Sequence, residues 1–383
     1  MANTLTNLIP DVYEAMDVVS REMVGMIPSV TLMPSAERAA MGEQVRSPVA
    51  PAASATDITP GVTPPNDGDQ NIGNVPITIT KARRVPIRWN GEEQKGVNNG
   101  PGYQKIKIDQ ISQAIRTLTN EMEVDLATQH TKFSRAYGTA GTTPFASDLS
   151  DPAQVRKILS DNGAPLSDLQ MVLDTAAGAR VRTLGNLTKA NEAGTTALRE
   201  QGILLDIHNF KLRESAAIPI VTKGTGASAT TNNAGYAVGA TVITLASAGT
   251  GNVLAGDIIA FAGDNNKYVV ASGDSDVSNG GTITLAAPGL RQAIPAAATN
   301  ITLVATATRN LAFARTAIGM VTRAPALPEE GDMAADRQII TDPLSGISFE
   351  LSMYKQYRQV QYELAVAWGQ QVFKPEHTAI LLG

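Results

Sequence analysis

The sequence predicts an α+β fold organised around one long helix, with an extended β-hairpin loop ahead of it and a small antiparallel β-barrel inserted behind it. Three observations carry this. Residues 105–138 keep a helical period without a break, residues 42–92 hold two alternating stretches around a Pro/Gly-rich segment, and residues 222–306 switch abruptly to short strands at close spacing.

Taken in chain order, residues 8–26 read as a short amphipathic helix. Pro10 suits a first helical position, and Val12, Met16, Val19 and Met23 follow at spacings of four, three and four. The segment is either a helix on its own core or an arm that docks on a neighbouring subunit. Next, EQVRSPV and NVPITITKARRVPIRW alternate polar and apolar residues as extended strands do. The PAASATDITPGVTPPNDGDQNIG between them cannot bury enough apolar area to form a core. Pro48, Pro76 and Pro86 suit edge strands only, and an isolated two-stranded hairpin is marginal in water. The protrusion therefore drapes over its own domain or lies across another subunit.

In KIKIDQISQAIRTLTNEMEVDLATQHTKFSRAYG, Ile111, Ile115, Leu118, Met122, Leu126, Phe133 and Tyr137 recur at steps of three and four, with Gln129 in the one gap. Asp109 can cap the start and Gly138 can close the end. No Pro or Gly interrupts the run, so the rod is about 45 Å long at ~1.5 Å per residue. Such a helix needs a sheet or a neighbour to cover its apolar stripe. It is a spine and not a site.

After the spine, 151–162 reads as a helix with Pro152 in its first turn, Leu169 to Leu173 (LQMVL) as a buried strand, and 175–184 as a second helix. Residues 186–194 form a polar loop, and strand-like runs alternate with turns up to Val221. At Thr222 a Gly/Thr/Asn spacer begins. TVITL, DIIAF, KYVVAS, TITL and NITLV then follow one another, separated by turn-formers such as AGTGN and SGDSDVSNGG. The clean change at both ends marks an inserted unit of about 80 residues. The closing stretch alternates over Phe349, Leu351, Tyr354, Tyr357, Tyr362, Leu364, Val366 and Trp368, and is a suitable partner for the spine's stripe.

Composition bounds the function. At 383 residues, 43% hydrophobic and 17% charged, the chain is globular, with room for two or three domains. Only 4% is aromatic, so burial per residue is modest, which suits a protein stabilised partly by assembly. A formal net charge of −5 gives no basic field to attract nucleic acid. There is no cysteine, hence no disulfide or thiolate metal site. The opening residues lack the pattern of a secretory signal. No apolar run of 18 occurs that would suggest a membrane-spanning helix.

Catalytic chemistry is not visible. His130, His208 and His377 are too scattered for a metal triad, and His130, beside the spine's stripe, reads as structural. There is no nucleophile elbow and no phosphate loop. GTGNVLAG precedes a strand, so no helix N-terminus stands ready for phosphate. Asp274, Asp276 and Asn279 have the look of a calcium loop, but the sixth-position glycine is missing and Leu285 stands at the twelfth. That stretch is a solvated turn or a contact loop. The cluster Lys81, Arg83, Arg84 and Arg88 is a solvated strand face or pairs with a neighbour's carboxylates. DNA contact is disfavoured because only Trp89 could stack among these cations. No cofactor, metal or enzyme activity is expected. An α/β enzyme would need clustered titratable groups.

The order of parts resembles the tailed-bacteriophage major capsid proteins of the Hong Kong 97-type fold, in particular the coat protein 5 family with an inserted β-domain. The resemblance rests on NLIPDVYEAMDVVSREMVGMIPSV, the spine, NLAFARTAIGMVTRAPALP and AVAWGQQVFKPEHTAILL, in that order. It implies an N-terminal arm (1–41), an extended loop (42–92), a peripheral domain (93–138 and 331–383), an axial domain (139–221 and 307–330) and the inserted barrel (222–306). It further implies hexamers and pentamers in an icosahedral shell around double-stranded DNA, with no catalysis and no sequence-specific nucleic-acid binding. A scaffolding protein and a portal during assembly, a possible decoration protein, assembly in the host cytoplasm and a final place in the virion also belong to that expectation. Candidate interface residues are Lys81, Arg83, Arg84, Arg88, Asp67, Asp69, Asp274, Asp276 and the arm's Val12, Met16, Val19 and Met23. A β-rich tail or adhesin-type binding protein, with ligand held by the inserted barrel, is the alternative.

Overall fold

The structure is a computed structural model that describes residues 25–49, 55–65, 68–97, 103–188, 206–341 and 346–383. Of the helix expected at 8–26, residues 8–24 lie outside the described residues, and Gly25 and Met26 form a bend that leads into a 3₁₀ turn at Ile27–Ser29. Four strands come first: β1 (Thr31–Ala39), β2 (Gln44–Val49), β3 (Gly73–Thr78) and β4 (Lys81–Asn90). A short helix α1 (Gly91–Val97) precedes the spine α2 (Tyr103–Ala127), which has 25 residues.

The spine is shorter than its sequence period. A 3₁₀ turn covers Thr128–Lys132, Phe133 is already extended, and β5 (Arg135–Tyr137) is a strand. The reason is tertiary. β5 pairs with the chain's last strand and with the inserted unit, and these ladders outweigh further helix over the β-branched and polar TQHTK. At the other end the helix begins at Tyr103, so Asp109 lies inside it and not at its start. Gly138 ends a strand at φ +103, and a Cβ there would lie 2.9 Å from the Leu382 carbonyl oxygen.

Behind β5 come α3 (Ser150–Asp161), β6 (Leu169–Leu173), α4 (Thr175–Arg182), α5 (Gly185–Thr188), β7 (Asp206–Ile207), β8 (Phe210–Glu214) and β9 (Ile220–Val221). The Asp174 carboxylate caps α4 by accepting from the Ala176 and Ala177 N–H groups. All five anticipated short strands form: β10 (Val242–Thr244), β11 (Ile258–Phe261), β12 (Lys267–Ser272), β13 (Thr282–Leu285) and β14 (Ile301–Leu303). They pair antiparallel in the order β10–β13–β12–β11–β14. Residues 229–232 hydrogen-bond to the ends of both outer strands: Asn232 N donates to Thr244 O, and Ile301 N donates to Ala229 O. A separate apolar cluster, drawn wholly from residues 229–303, fills this unit.

The remaining strands are β15 (Ala307–Ala314), β16 (Ile318–Pro325), β17 (Ala334–Thr341), β18 (Ser348–Gln356), β19 (Gln359–Val372) and β20 (Thr378–Leu382). One sheet runs β1–β16–β19–β18–β17, with β4 also on β19. A second runs from β10 to β7 through β12–β5–β20–β15–β6–β8. β15 and β20 separate two cores. Leu311, Phe313, Ile380 and Leu382 face the spine's cluster, while Ala312, Ala314, Ala379 and Leu381 face the cluster of α3, α4 and β6.

The spine's stripe meets the partner expected of it. Ile111, Ile115, Leu118, Met122 and Leu126 share one core with Phe349, Leu351, Leu364, Val366 and Trp368. Tyr357 does not belong to that core, because it sits in the β18–β19 turn and is exposed.

Candidate subunit interface

The extended loop is built in two parts. β2 and β3 pair antiparallel from Gln44↔Thr78 to Val49↔Gly73, and the described tip residues 55–65 and 68–72 are exposed throughout. The second alternating stretch was expected to be one return strand, but it divides at Ile79–Thr80. Ile79 N still donates to Glu43 O in the hairpin, whereas Thr80 N donates to Trp368 O. β4 then runs along β19 from Lys81↔Trp368 to Asn90↔Gln359. The proline expectation fits this arrangement: among the described residues Pro48 and Pro76 lie on strands that pair only with each other, and Pro86 on a strand whose one strand partner is β19.

The hairpin's base is fixed. Ile77 and Ile79 are buried with Ala39, Val321 and Ala367. Gly369 passes so close that a Cβ there would overlap the Thr78 carbonyl oxygen. The tip, by contrast, offers bare apolar side chains: Ile58 is 97% exposed, and Val62 and Ile72 are exposed as well.

Within the basic cluster, three of four residues find carboxylates on their own chain. Lys81 Nζ lies 2.9 Å from Glu121 Oε1 and 2.8 Å from Asp125 Oδ1, and Arg83 Nε lies 3.2 Å from the same Glu121 oxygen. Asp125 also accepts from Trp368 Nε1 at 2.9 Å, so strand, spine and β19 are joined at one carboxylate. Burial pulls the Lys81 pKa down, but the hydrogen bonds its ammonium donates to Asp125 and Glu121, with their charges, outweigh this and leave it raised. Arg84 Nη1 sits 2.6 Å from Glu363 Oε2, and that contact raises its pKa, although the side chain is mostly exposed. Arg88 is exposed on the same strand.

The other candidates are dispersed. Asp69 is exposed on the tip, while Asp67 and the arm's Val12, Met16, Val19 and Met23 lie outside the described residues. Asp274 and Asp276 shape their own turn. The first accepts from Asp276 N at 2.8 Å, and the second accepts from Ser278 N at 3.0 Å and Ser278 Oγ at 2.7 Å. Among the described residues no group of three His, Cys, Asp or Glu side chains is placed to hold a metal ion.

Sequence reasoning missed Glu123. It is 1% exposed, and its carboxylate accepts from the N–H groups of Gly25 (2.7 Å), Met26 (2.6 Å) and Ile27 (3.0 Å). It thereby ties the first described turn to the spine. Burial raises its pKa, against the pull of those backbone donors. A carboxylate four residues after Thr119 and beside Met122, on the covered face of the helix, was the available signal.

Comparison with known proteins gives likeness in structure alone. No family model matches, and no curated protein matches. Among solved structures, the chain is similar to a capsid structure of the cyanophage P-SCSP1u, with 11% identity, a TM-score of 0.49, and 94% of this chain and 88% of that one covered. It is also similar to a virus-like particle from Pyrococcus furiosus, at 8% identity, a TM-score of 0.46 and coverage of 98% and 100%. A structure of Mycobacterium phage Che8 aligns at 11% identity and a TM-score of 0.46, covering 89% and 84%.

Proposed function

We propose that this chain is the major coat subunit of a tailed bacteriophage, folded in the Hong Kong 97-type manner and self-assembling into the icosahedral shell around a double-stranded DNA genome. The observation that carries the reading is the extended loop: a base locked into the sheet, and a projecting tip whose apolar Ile58, Val62 and Ile72 have no cover of their own. Exposed apolar side chains on a protrusion are a surface for a partner. In a closed shell that partner is the next copy, and many such weak contacts add up around the lattice. Lys81, Arg83 and Arg84 are paired within the chain, so in this reading exposed charges such as Arg88 and the tip's Asp69 and Asp57 set register between copies.

The domain plan follows the same reading: extended loop 42–92, peripheral domain 93–138 and 331–383, axial domain 139–221 and 307–330, and an inserted barrel 222–306 that steadies the fold and contacts neighbouring capsomers. Hexamers and pentamers, a scaffolding protein, a portal and assembly in the host cytoplasm go with it, and no catalytic step is assigned. The adhesin-type alternative needs an aromatic patch open to ligand, but Phe261 and Tyr268 are buried in the unit's own core and Tyr236 packs against it. Electron microscopy of the purified protein tests the reading directly, with closed shells expected. Deleting residues 54–70 is expected to leave a folded monomer that forms none. Normal particles from that variant overturn the clamping role of the tip.

A further inference from the structure

The chain crosses from the body into the 222–306 unit and back at exposed positions: Thr222, Lys223, Ala305 and Thr306 all face solvent. The seat of the unit on the body is made away from these crossings. A short ladder pairs Lys267↔Ala136 and Tyr268↔Arg135, and Val269 N donates to Ser134 O at 3.3 Å. Ile258, Val269 and Ala286 of the unit enter the spine's core.

Beside that ladder lies Arg135, which is 3% exposed. Its guanidinium is held from two sides. Nη1 donates to Asn266 Oδ1 of the inserted unit at 3.0 Å. Nη2 donates to Asn162 Oδ1 at 3.0 Å and to Ile158 O at 3.2 Å, both at the end of α3. Asp161 Oδ2 stands 3.9 Å from the same nitrogen. A guanidinium only donates, so each asparagine turns its oxygen toward Arg135 and its NH₂ away. Both NH₂ groups find acceptors. Asn266 Nδ2 donates to Asp264 Oδ1 at 2.6 Å, and Asp264 Oδ2 accepts from the hydroxyl of Tyr268, in the unit's own core, at 2.6 Å. Asn162 Nδ2 donates to Glu376 O at 2.8 Å, in the turn that leads to β20. One unbroken row of hydrogen bonds thus runs from the core of the unit to the start of β20, with Arg135 at its centre. A guanidinium out of water that loses part of such a row is left with unmet donors, so the row holds or fails together.

We propose that Arg135 is a bolt that couples the inserted unit to α3, so that lifting the unit off β5 and fraying the end of α3 are one event. Coupling of this kind is reciprocal. A partner that pulls on the unit acts on α3, and one that grips α3 steadies the unit.

The test is native-state hydrogen exchange of the full chain, read on the far side of each substitution. Asn266→Ala, in the unit, is read at the amides of Asn162, Gly163 and Ala164, which donate to the carbonyl oxygens of Ile158, Ser160 and Leu159 and close the end of α3. Asn162→Ala, in the body, is read at the Val269 amide, whose bond to Ser134 O breaks when the unit lifts. Each is expected to lower far-side protection about tenfold, the scale of one hydrogen bond to a charged group. In the double variant Val269 falls no further than in either single one, because the same bolt is already drawn. Arg135→Met lowers protection at both places at once, and the two asparagine variants decide the matter if it does not fold. The β17–β18 ladder is the internal control and holds throughout. Unchanged far-side protection in either single variant, a further fall in the double one, or an equal fall across β17–β18 overturns the proposal.

Discussion

Replacing Glu123 tests how the first described turn is held to the spine. The carboxylate satisfies three buried N–H groups, and Glu123→Ala leaves all three without an acceptor. An unsatisfied buried donor costs about 1–3 kcal/mol, and a hydrogen bond to a charged group contributes about 1.5–3 kcal/mol. Against this stands relief from burying a carboxylate, since its desolvation is large enough to raise the pKa despite those donors. A net loss of roughly 3–5 kcal/mol results, at the upper end for single substitutions. Glu123→Gln keeps one oxygen but turns an amide NH₂ toward the remaining donor, and is expected to lose about half as much. The assay is urea unfolding of the unassembled chain at constant slope. A loss below about 1 kcal/mol in Glu123→Ala refutes the reasoning, because the three N–H groups would then have found other acceptors at little cost.

The same residue makes a pH prediction of definite sign. Its native pKa is raised above the 4.5 of an unperturbed glutamate. Between those values the native state keeps a proton that the unfolded chain has released. Its contribution is therefore present below 4.5 and lost as pH rises through the native value. Glu123→Gln removes this component, so the difference in stability between wild type and variant should change across that window and be flat above it.

Other expectations can be checked alongside. Leu118→Pro, in the buried stripe of the spine, costs about 3 kcal/mol or more from the helix alone, and unchanged thermal stability contradicts the spine's role. Gly369→Ala drives a Cβ into the Thr78 backbone and should cost about 1–3 kcal/mol by denaturation; a neutral result means the hairpin base shifts freely. Arg84→Ala breaks a mostly exposed pair with Glu363 and is expected to change stability by less than about 1 kcal/mol, with any effect shrinking at high salt. Excised residues 222–306 should give a β-type circular dichroism spectrum, because their core draws on no residue outside that span; a random-coil spectrum refutes the boundaries.

What the sequence made legible is what short range decides. TVITL, DIIAF, KYVVAS, TITL and NITLV are short strand-like runs between turn-formers, and each is a strand within a residue or so of its expected ends. The covered stripe of the spine was legible from Ile111 to Leu126 for the same reason. Beyond Leu126 the pattern misleads, since Phe133 and Tyr137 continue a step of four yet stand on a strand approach and a strand. Only the presence of β12 and β20 on either side of β5 decides that, and both lie more than 120 residues away in sequence. Glu123 and Arg135 were hidden in another way. Each is a charge embedded in an apolar period, where a pattern read for hydrophobicity passes over it. At the interface, pairing of the basic cluster with a carboxylate was legible as a chemical need, but a sequence cannot say whether the carboxylate belongs to the same chain.

That last ambiguity bears on how the protrusion works. Lys81 and Arg83 hold β4 to the spine through Glu121 and Asp125, and Asp125 also takes the Trp368 indole from β19. The strand that leaves the hairpin is thus fixed to both elements of the main core within a few residues of the switch at Ile79–Thr80. The described tip carries Pro60, Gly61, Pro64 and Pro65 in place of paired backbone. If the chain forms the shell proposed above, a base held by these pairs and an exposed tip suit contacts whose angle changes from one neighbour to the next.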